Sequence, residues 1–247
     1  MSFSATGPYR SGPVATGRSY PYRSLMGMIN TAEWTVFMDD FMQDVATNVP
    51  TGWDAAIIDT GATLTTGSSG STWRNGVALI ASDGASEGVA IYLPKGIKIT
   101  SGKKFVMEVR VQTTLAAETD VQFGLSDLTA TTNPEDLWTT TSANLIAFGT
   151  LAGSAATKML SDKSNSGTSA QTGSRSLSDA TWHTLAIYWD GSQLRGYVDG
   201  KESLTWSSAV STTVPVDTAM AAFVGSRTGA TAANTTVIDY VRIAIER

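Results

Sequence analysis

Short alternating runs of apolar and polar residues, separated by clusters of Gly, Ser, Thr, Asn and Asp, make up most of this chain. The clearest alternation is Lys103–Gln112, where Phe105, Met107, Val109 and Val111 share one face and Val106, Glu108, Arg110 and Gln112 the other. Period two with one polar face predicts a strand half buried on an antiparallel sheet. Val121, Phe123 and Leu125 repeat the pattern, and Leu145–Phe148 is a shorter run. Upstream, Trp34–Met38 leads into Asp39-Asp40-Phe41 as a first strand, followed by runs at Asp54–Thr65, Val77–Ala81 and Val89–Leu93. The last run, Thr235–Glu246, sets Val237, Asp239, Val241, Ile243 and Ile245 against Ile238, Tyr240, Arg242 and Ala244.

Residues 181–206 carry the best local signal. His183, Leu185, Ile187 and Trp189 form one face, and Asp190-Gly191 opens a turn. Leu194, Gly196 and Val198 continue, and Asp199-Gly200 turns the chain back toward Ser203–Trp206. Two DG turns between alternating strands predict hairpins, because the tight turn needs positive φ. Composition marks Ser82-Asp83-Gly84, Ser161–Gly173 and Gly225–Thr231 as further turns. Only Asn133–Leu137 has even a weak helical pattern. About a dozen short strands without a helical layer predict a β-sandwich or barrel.

The first thirty residues differ from the rest. Pro8, Pro13 and Pro21 stand among Gly7, Gly12, Gly17 and Gly27, a mixture that sustains neither helix nor ladder. Two regions follow: an irregular basic arm over 1–32 and a sandwich over 33–247. Arg10, Arg18 and Arg23 give the arm +3 with no acid, so the remainder of a chain of net charge −5 carries −8. Tyr9, Arg10, Arg18, Tyr20, Tyr22 and Arg23 are the expected partner contacts, since Tyr and Arg favour interfaces. Three charges fall short of nucleic-acid binding, which draws on about 6–10 phosphate contacts. There is no cysteine, no apolar run of membrane length and no apolar signal region.

The segment Trp182-His183-Thr184-Leu185-Ala186-Ile187-Tyr188-Trp189-Asp190-Gly191, with Leu194-Arg195-Gly196-Tyr197-Val198-Asp199-Gly200, resembles laminin-G-like and concanavalin A-like sandwiches. The resemblance covers roughly residues 33–247. It implies an all-β, antiparallel two-sheet jelly roll in which the first strand, Trp34–Phe41, lies beside the last, Ile238–Ile243. A looser resemblance joins the basic arm to the Ser/Thr/Ala-rich sandwich and looks like tailed-phage head decoration (cement) proteins. It implies a non-enzymatic virion protein on the capsid surface, made in the host cytoplasm. Its partners would be the major capsid protein and further copies of itself, a trimer being the assembly to test first, with no nucleic acid and no membrane.

Related β-glucanases carry an E-x-D-x-(x)-E run that puts two or three carboxylates on one strand face, and retaining enzymes need a pair about 5–5.5 Å apart. No such run occurs; Glu108 is followed by Arg110 where a second acid would stand. The one histidine, His183, lies on an apolar face and reads as structural, so no catalytic residue is expected. No metal ligands and no cofactor are expected either. A structural calcium stays open through Asp39, Asp40, Asp44, Asp54, Asp59, Asp190 and Asp199, since calcium needs only oxygen. The rival reading is a carbohydrate-binding module or adhesin that presents Trp53, Trp73 and Trp138 from loops to surface glycans.

Overall fold

The computed structural model describes residues 34–41, 49–50, 52–57, 61–66, 76–127, 144–151, 153–164, 169–207, 210–229 and 233–247. Two antiparallel sheets lie face to face. The eight-stranded sheet runs β13 (Lys201–Thr205), β12 (Leu194–Val198), β11 (His183–Trp189), β6 (Phe105–Thr113), β15 (Asn234–Glu246), β4 (Ala78–Ser82), β3 (Thr63–Thr66), with β1 (Trp34–Asp39) also on β15. The seven-stranded sheet runs β10 (Ser169–Ser176), β9 (Ser154–Lys163), β8 (Asn144–Leu151), β7 (Thr119–Ser126), β14 (Ala221–Thr228), β5 (Gly88–Tyr92), β2 (Asp54–Ile57). Among the described residues the helical content is one 3₁₀ turn, Ala116–Glu118, and one α turn, Val210–Thr213. First and last strands are adjacent as expected, with Trp34 opposite Glu246 and Asp39 opposite Val241.

The core is the meeting of the two inner faces. Phe105, Met107, Val109 and Val111 of β6 and Leu185, Ile187 and Trp189 of β11 face Val121, Phe123 and Leu125 of β7 and Ile146 and Phe148 of β8. Each such side chain contributes about 1.5–3 kcal/mol by leaving water, enough to hold a domain of this size without a disulfide. At the rim, hydroxyls bridge the sheets: Ser226 Oγ to Thr236 Oγ1 at 2.7 Å, Thr228 Oγ1 to Ser82 Oγ at 2.6 Å, Thr157 Oγ1 to Ser203 Oγ at 2.8 Å. The buried Asn234 works hardest. Its Oδ1 accepts from Thr113 Oγ1, Thr114 Oγ1 and Leu115 N–H, and its Nδ2 donates to Thr119 Oγ1.

Four expectations from the pattern need correction. Asp54–Thr65 is two strands, β2 and β3, in opposite sheets. Ser161–Gly173 is not a turn cluster, since Ser161–Lys163 ends β9 and Ser169–Gly173 begins β10. Strand β10 is an edge whose side chains alternate between half-buried and exposed, so polar residues suit it. Gly225–Thr228 likewise belongs to β14, where backbones approach closely: a Cβ on Gly88 would come within 2.4 Å of Ser226 O. Finally, the alternation of β15 is broken by a bulge between Ile238 and Tyr240. Ile238 faces the core opposite Val111, and after one extra residue Val241 does so opposite Val109. An unbroken strand would have aimed the Asp239 carboxylate along the face of Val241 and Ile243, into apolar packing, at prohibitive desolvation cost.

Candidate functional site

The bulge sets two residues, Asp239 and Tyr240, against the single residue Arg110 of β6. Bulges re-aim side chains and are enriched beside functional sites. Here the result is a polar cluster on the outer face of the eight-stranded sheet. Arg110 Nη1 is ion-paired with Asp239 Oδ2, and its guanidinium carbon lies 4.6 Å from the centre of the Trp182 ring. The Tyr240 hydroxyl donates to Glu108 Oε1 at 2.7 Å, and Glu108 is only 8% exposed. Arg242 is the cross-strand neighbour of Glu108, and Thr184 that of Arg110. Burial, then the Glu108 charge and the hydrogen bond to it, push the Tyr240 hydroxyl far above the ordinary tyrosine range, against smaller opposing pulls from Thr184 and Arg110. Tyr240 is therefore a neutral donor at physiological pH. Arg110, Trp182, Asp239, Tyr240 and Arg242 are all half-buried, so the cluster is open to solvent.

The face continues through the 181–206 hairpins. Asp199 sits in left-handed conformation (φ 51°) beside Gly200 (φ 73°), the paired positive φ the DG turn was expected to need. Its Oδ1 accepts from Thr184 N–H at 2.9 Å, and its Oδ2 lies 2.8 Å from His183 Nδ1. Ser178 N–H donates to His183 Nε2 at 3.0 Å, so both ring nitrogens are engaged and neither is left for chemistry. At the other turn, burial works against the Asp190 carboxylate. The N–H groups of Ser192 and Gln193, the Ser192 hydroxyl and Arg195 outweigh it and hold the carboxyl below its usual range. Burial also raises Tyr188 and Tyr197, which stand further along the same face.

The outer face of the seven-stranded sheet is of another kind. Strand β7 points Asp120, Gln122, Gly124 and Ser126 outward, opposite Val121, Phe123 and Leu125 in the core. Around them Ala90, Leu145, Ala147, Leu160 and Phe223 form a buried apolar cluster. Position 124 accepts no side chain, because a Cβ there would lie 1.9 Å from Ile146 O; on Gly149 it would lie 1.7 Å from Val121 O. This face holds no alternating carboxylates on any one strand among the described residues.

The candidate residues of the sequence occupy different environments. Trp53 is not a ring offered to sugars: it is 5% exposed, donates from Nε1 to Asp39 Oδ2 at 2.7 Å, and packs against Phe37 and Phe41. Trp73, Trp138, the Asn133–Leu137 stretch and the arm residues Tyr9, Arg10, Arg18, Tyr20, Tyr22 and Arg23 lie outside the described residues. Of the acids considered for calcium, Asp39 is held by Trp53 and Phe41 N–H, Asp190 by its turn, and Asp199 by His183 and Thr184. No group of three acids or histidines fit for a metal occurs among the described residues. Asp239 and Tyr240 were missed as site residues. The available signal was an acid in register with Val241 and Ile243, which a regular strand cannot accommodate.

Residues 126–244 match the model of the concanavalin A-like lectin/glucanases superfamily. No curated protein matches the chain. Among solved structures it is similar to an endo-β-galactosidase from Clostridium perfringens that releases GlcNAcα1-4Gal, at 12% identity and a TM-score of 0.56. That alignment covers 87% of this chain but 64% of the enzyme, so the chain spans less than two thirds of its length. A Shewanella oneidensis protein of unknown function aligns at 15% identity over 93% of this chain and 95% of its own (TM-score 0.58). A β-1,3-1,4-glucanase (lichenase) from a mouse hindgut metagenome aligns at 16% identity over 85% and 98% (TM-score 0.55). At such identities the likeness shows the fold, which is concanavalin A-like. The expectation of a non-enzymatic virion protein is corrected by these findings. The neighbours of known activity are glycoside hydrolases, and nothing links the chain to capsid decoration or cement proteins.

Proposed function

We propose that the chain acts on a carbohydrate and that the cluster around Glu108, Asp239 and Tyr240 is its site. The observation that carries the reading is the β15 bulge, which turns Asp239 out onto the sheet face that carries Glu108, with Arg110 paired to Asp239 and Tyr240 to Glu108. Cleavage or transfer of a glycosidic bond draws on two carboxylates with different tasks. One of Glu108 and Asp239 must enter the step protonated and give that proton to the leaving-group oxygen, while the other, as a carboxylate, faces the positive charge that develops on the sugar ring. The half-buried Trp182 ring offers an apolar surface next to hydrogen-bonding groups, the combination a sugar ring presents in return. The E-x-D-x-(x)-E run of the β-glucanases is absent, so this pair would be a different use of the same scaffold.

The glucanase and galactosidase neighbours make β-linked glucans and galactans the first substrates to offer. Release of reducing ends by the full chain is the expected result, with Glu108→Gln and Asp239→Asn each lowering it by about 100-fold or more while the fold is retained. A wild-type chain inactive on every glucan and galactan offered would end the reading, as would activity that survives both substitutions.

A further inference from the structure

A groove of about 280 Å³ opens where the end of β10 meets the turn between β12 and β13, lined by Ser174, Arg175, Ser176, Val198, Asp199 and Lys201. We infer that this groove is a subsite for an anionic substituent of a glycan, a carboxylate or a sulfate. Two cations and two serines contribute to its wall. The root of Arg175 is fixed: its N–H bonds Ser203 Oγ at 3.2 Å and its Nε bonds Glu202 O at 3.2 Å. Its terminal nitrogens form the planar fork that suits a two-oxygen anion. Ser174 Oγ is anchored on Ser203 O at 3.0 Å, which ties the same stretch of β10 to β13. The one acid in the lining, Asp199, turns its oxygens to Thr184 N–H and His183. The neighbouring Glu202 accepts from the Thr205 hydroxyl.

The inference rests on the carbohydrate reading above and extends it. Asp199 neighbours Thr184 on the next strand, Thr184 is opposite Arg110, and Arg110 is opposite Tyr240. Three strand spacings of about 4.8 Å put Asp199, in the wall of the groove, about 15 Å from the carboxylate cluster along one row of the sheet. A short oligosaccharide lying across the strands would reach from one to the other.

The test is calorimetric titration of the full chain with three hexasaccharides: a neutral β-glucan, an oligogalacturonate and a chondroitin sulfate fragment. Each is titrated in low salt and again at about 0.5 M, where charge contacts are screened. At least one acidic hexamer is expected to bind about tenfold tighter than the neutral one, and which of the two does so separates carboxylate from sulfate. Arg175→Gln with Lys201→Gln should erase that preference and leave neutral binding unchanged, whereas Glu108→Gln should leave the preference intact. Equal affinity for all three, or a preference that survives the double substitution, overturns the subsite. Acidic glycan bound through Arg175 and Lys201 but never cleaved would leave the subsite standing and remove the catalytic reading instead.

Discussion

On the outer face of the eight-stranded sheet, Glu108, Arg110, Asp239, Tyr240 and Trp182 stand together at a bulge. The central rows of the seven-stranded sheet hold Gly124, Gly149, Ala147 and Ala90 in place of functional side chains. The two faces differ in burial, since β7 is buried along its whole length while Arg110, Asp239, Tyr240 and Arg242 are half-buried. They differ also in how closely neighbouring backbones approach. Where β7 and β8 leave no room for a Cβ, Gly124 and Gly149 cannot be replaced by residues with a functional side chain. Where β15 gains a residue, an acid and a tyrosine are pushed outward together. A shared scaffold does not by itself locate a site.

The comparison breaks most severely through the glycines. Gly124→Ala or Gly149→Ala forces a Cβ into a backbone carbonyl and should cost about 3 kcal/mol or more. At about 2–4 °C per kcal/mol for a domain of this size, the thermal midpoint should fall by about 6–12 °C. Arg110→Ala on the opposite face should shift the midpoint by much less. If the glycine variants melt like the wild type, the close-approach argument fails. Asn234→Ala comes next, removing a buried hub with four hydrogen bonds between the strands of both sheets. A loss of about 2–3 kcal/mol in urea unfolding is expected.

Alkaline pH should sharpen the contrast. Burial raises Tyr188, Tyr197 and Tyr240 on the eight-stranded face and Tyr92 on the other. The folded chain keeps these protons above the ordinary tyrosine pKa of about 10, whereas the unfolded chain releases them. Their contribution is therefore complete below about pH 10 and is lost as pH rises beyond it. Urea midpoints measured from pH 8 upward should decline past pH 10, and Tyr240→Phe should make that decline shallower. The smallest effect belongs to Trp182→Ala, which removes the ring beneath Arg110. It should cost about 0.5–1 kcal/mol while weakening glycan binding more than stability.

Much of this architecture is legible from residues alone. The period-two faces of Phe105–Val111 and His183–Trp189 and the two DG turns announce strands and hairpins, because alternation and positive φ are local demands. The partnership of Trp34–Asp39 with the last strand was legible only through resemblance. Strand β10 was not legible, since Ser, Thr and Gly composition favours turns until a neighbouring strand supplies the ladder. Trp53 looked like a loop aromatic because its partners, Phe37, Phe41 and Asp39, come from a different segment. The site was half visible. Glu108 and Arg110 were on the polar face from the start, but Asp239 and Tyr240 join them only through a one-residue shift in pairing that alternation alone does not record.

The central claim is that the eight-stranded face engages the glycan. Hydroxyl-radical footprinting of the full chain, with and without the glycan it cleaves or binds, reads this directly through side-chain oxidation. Protection of Trp182 and Tyr240, with the half-buried Tyr92 unchanged, is the predicted result. Protection of Tyr92 instead, or of none of the three, would contradict it.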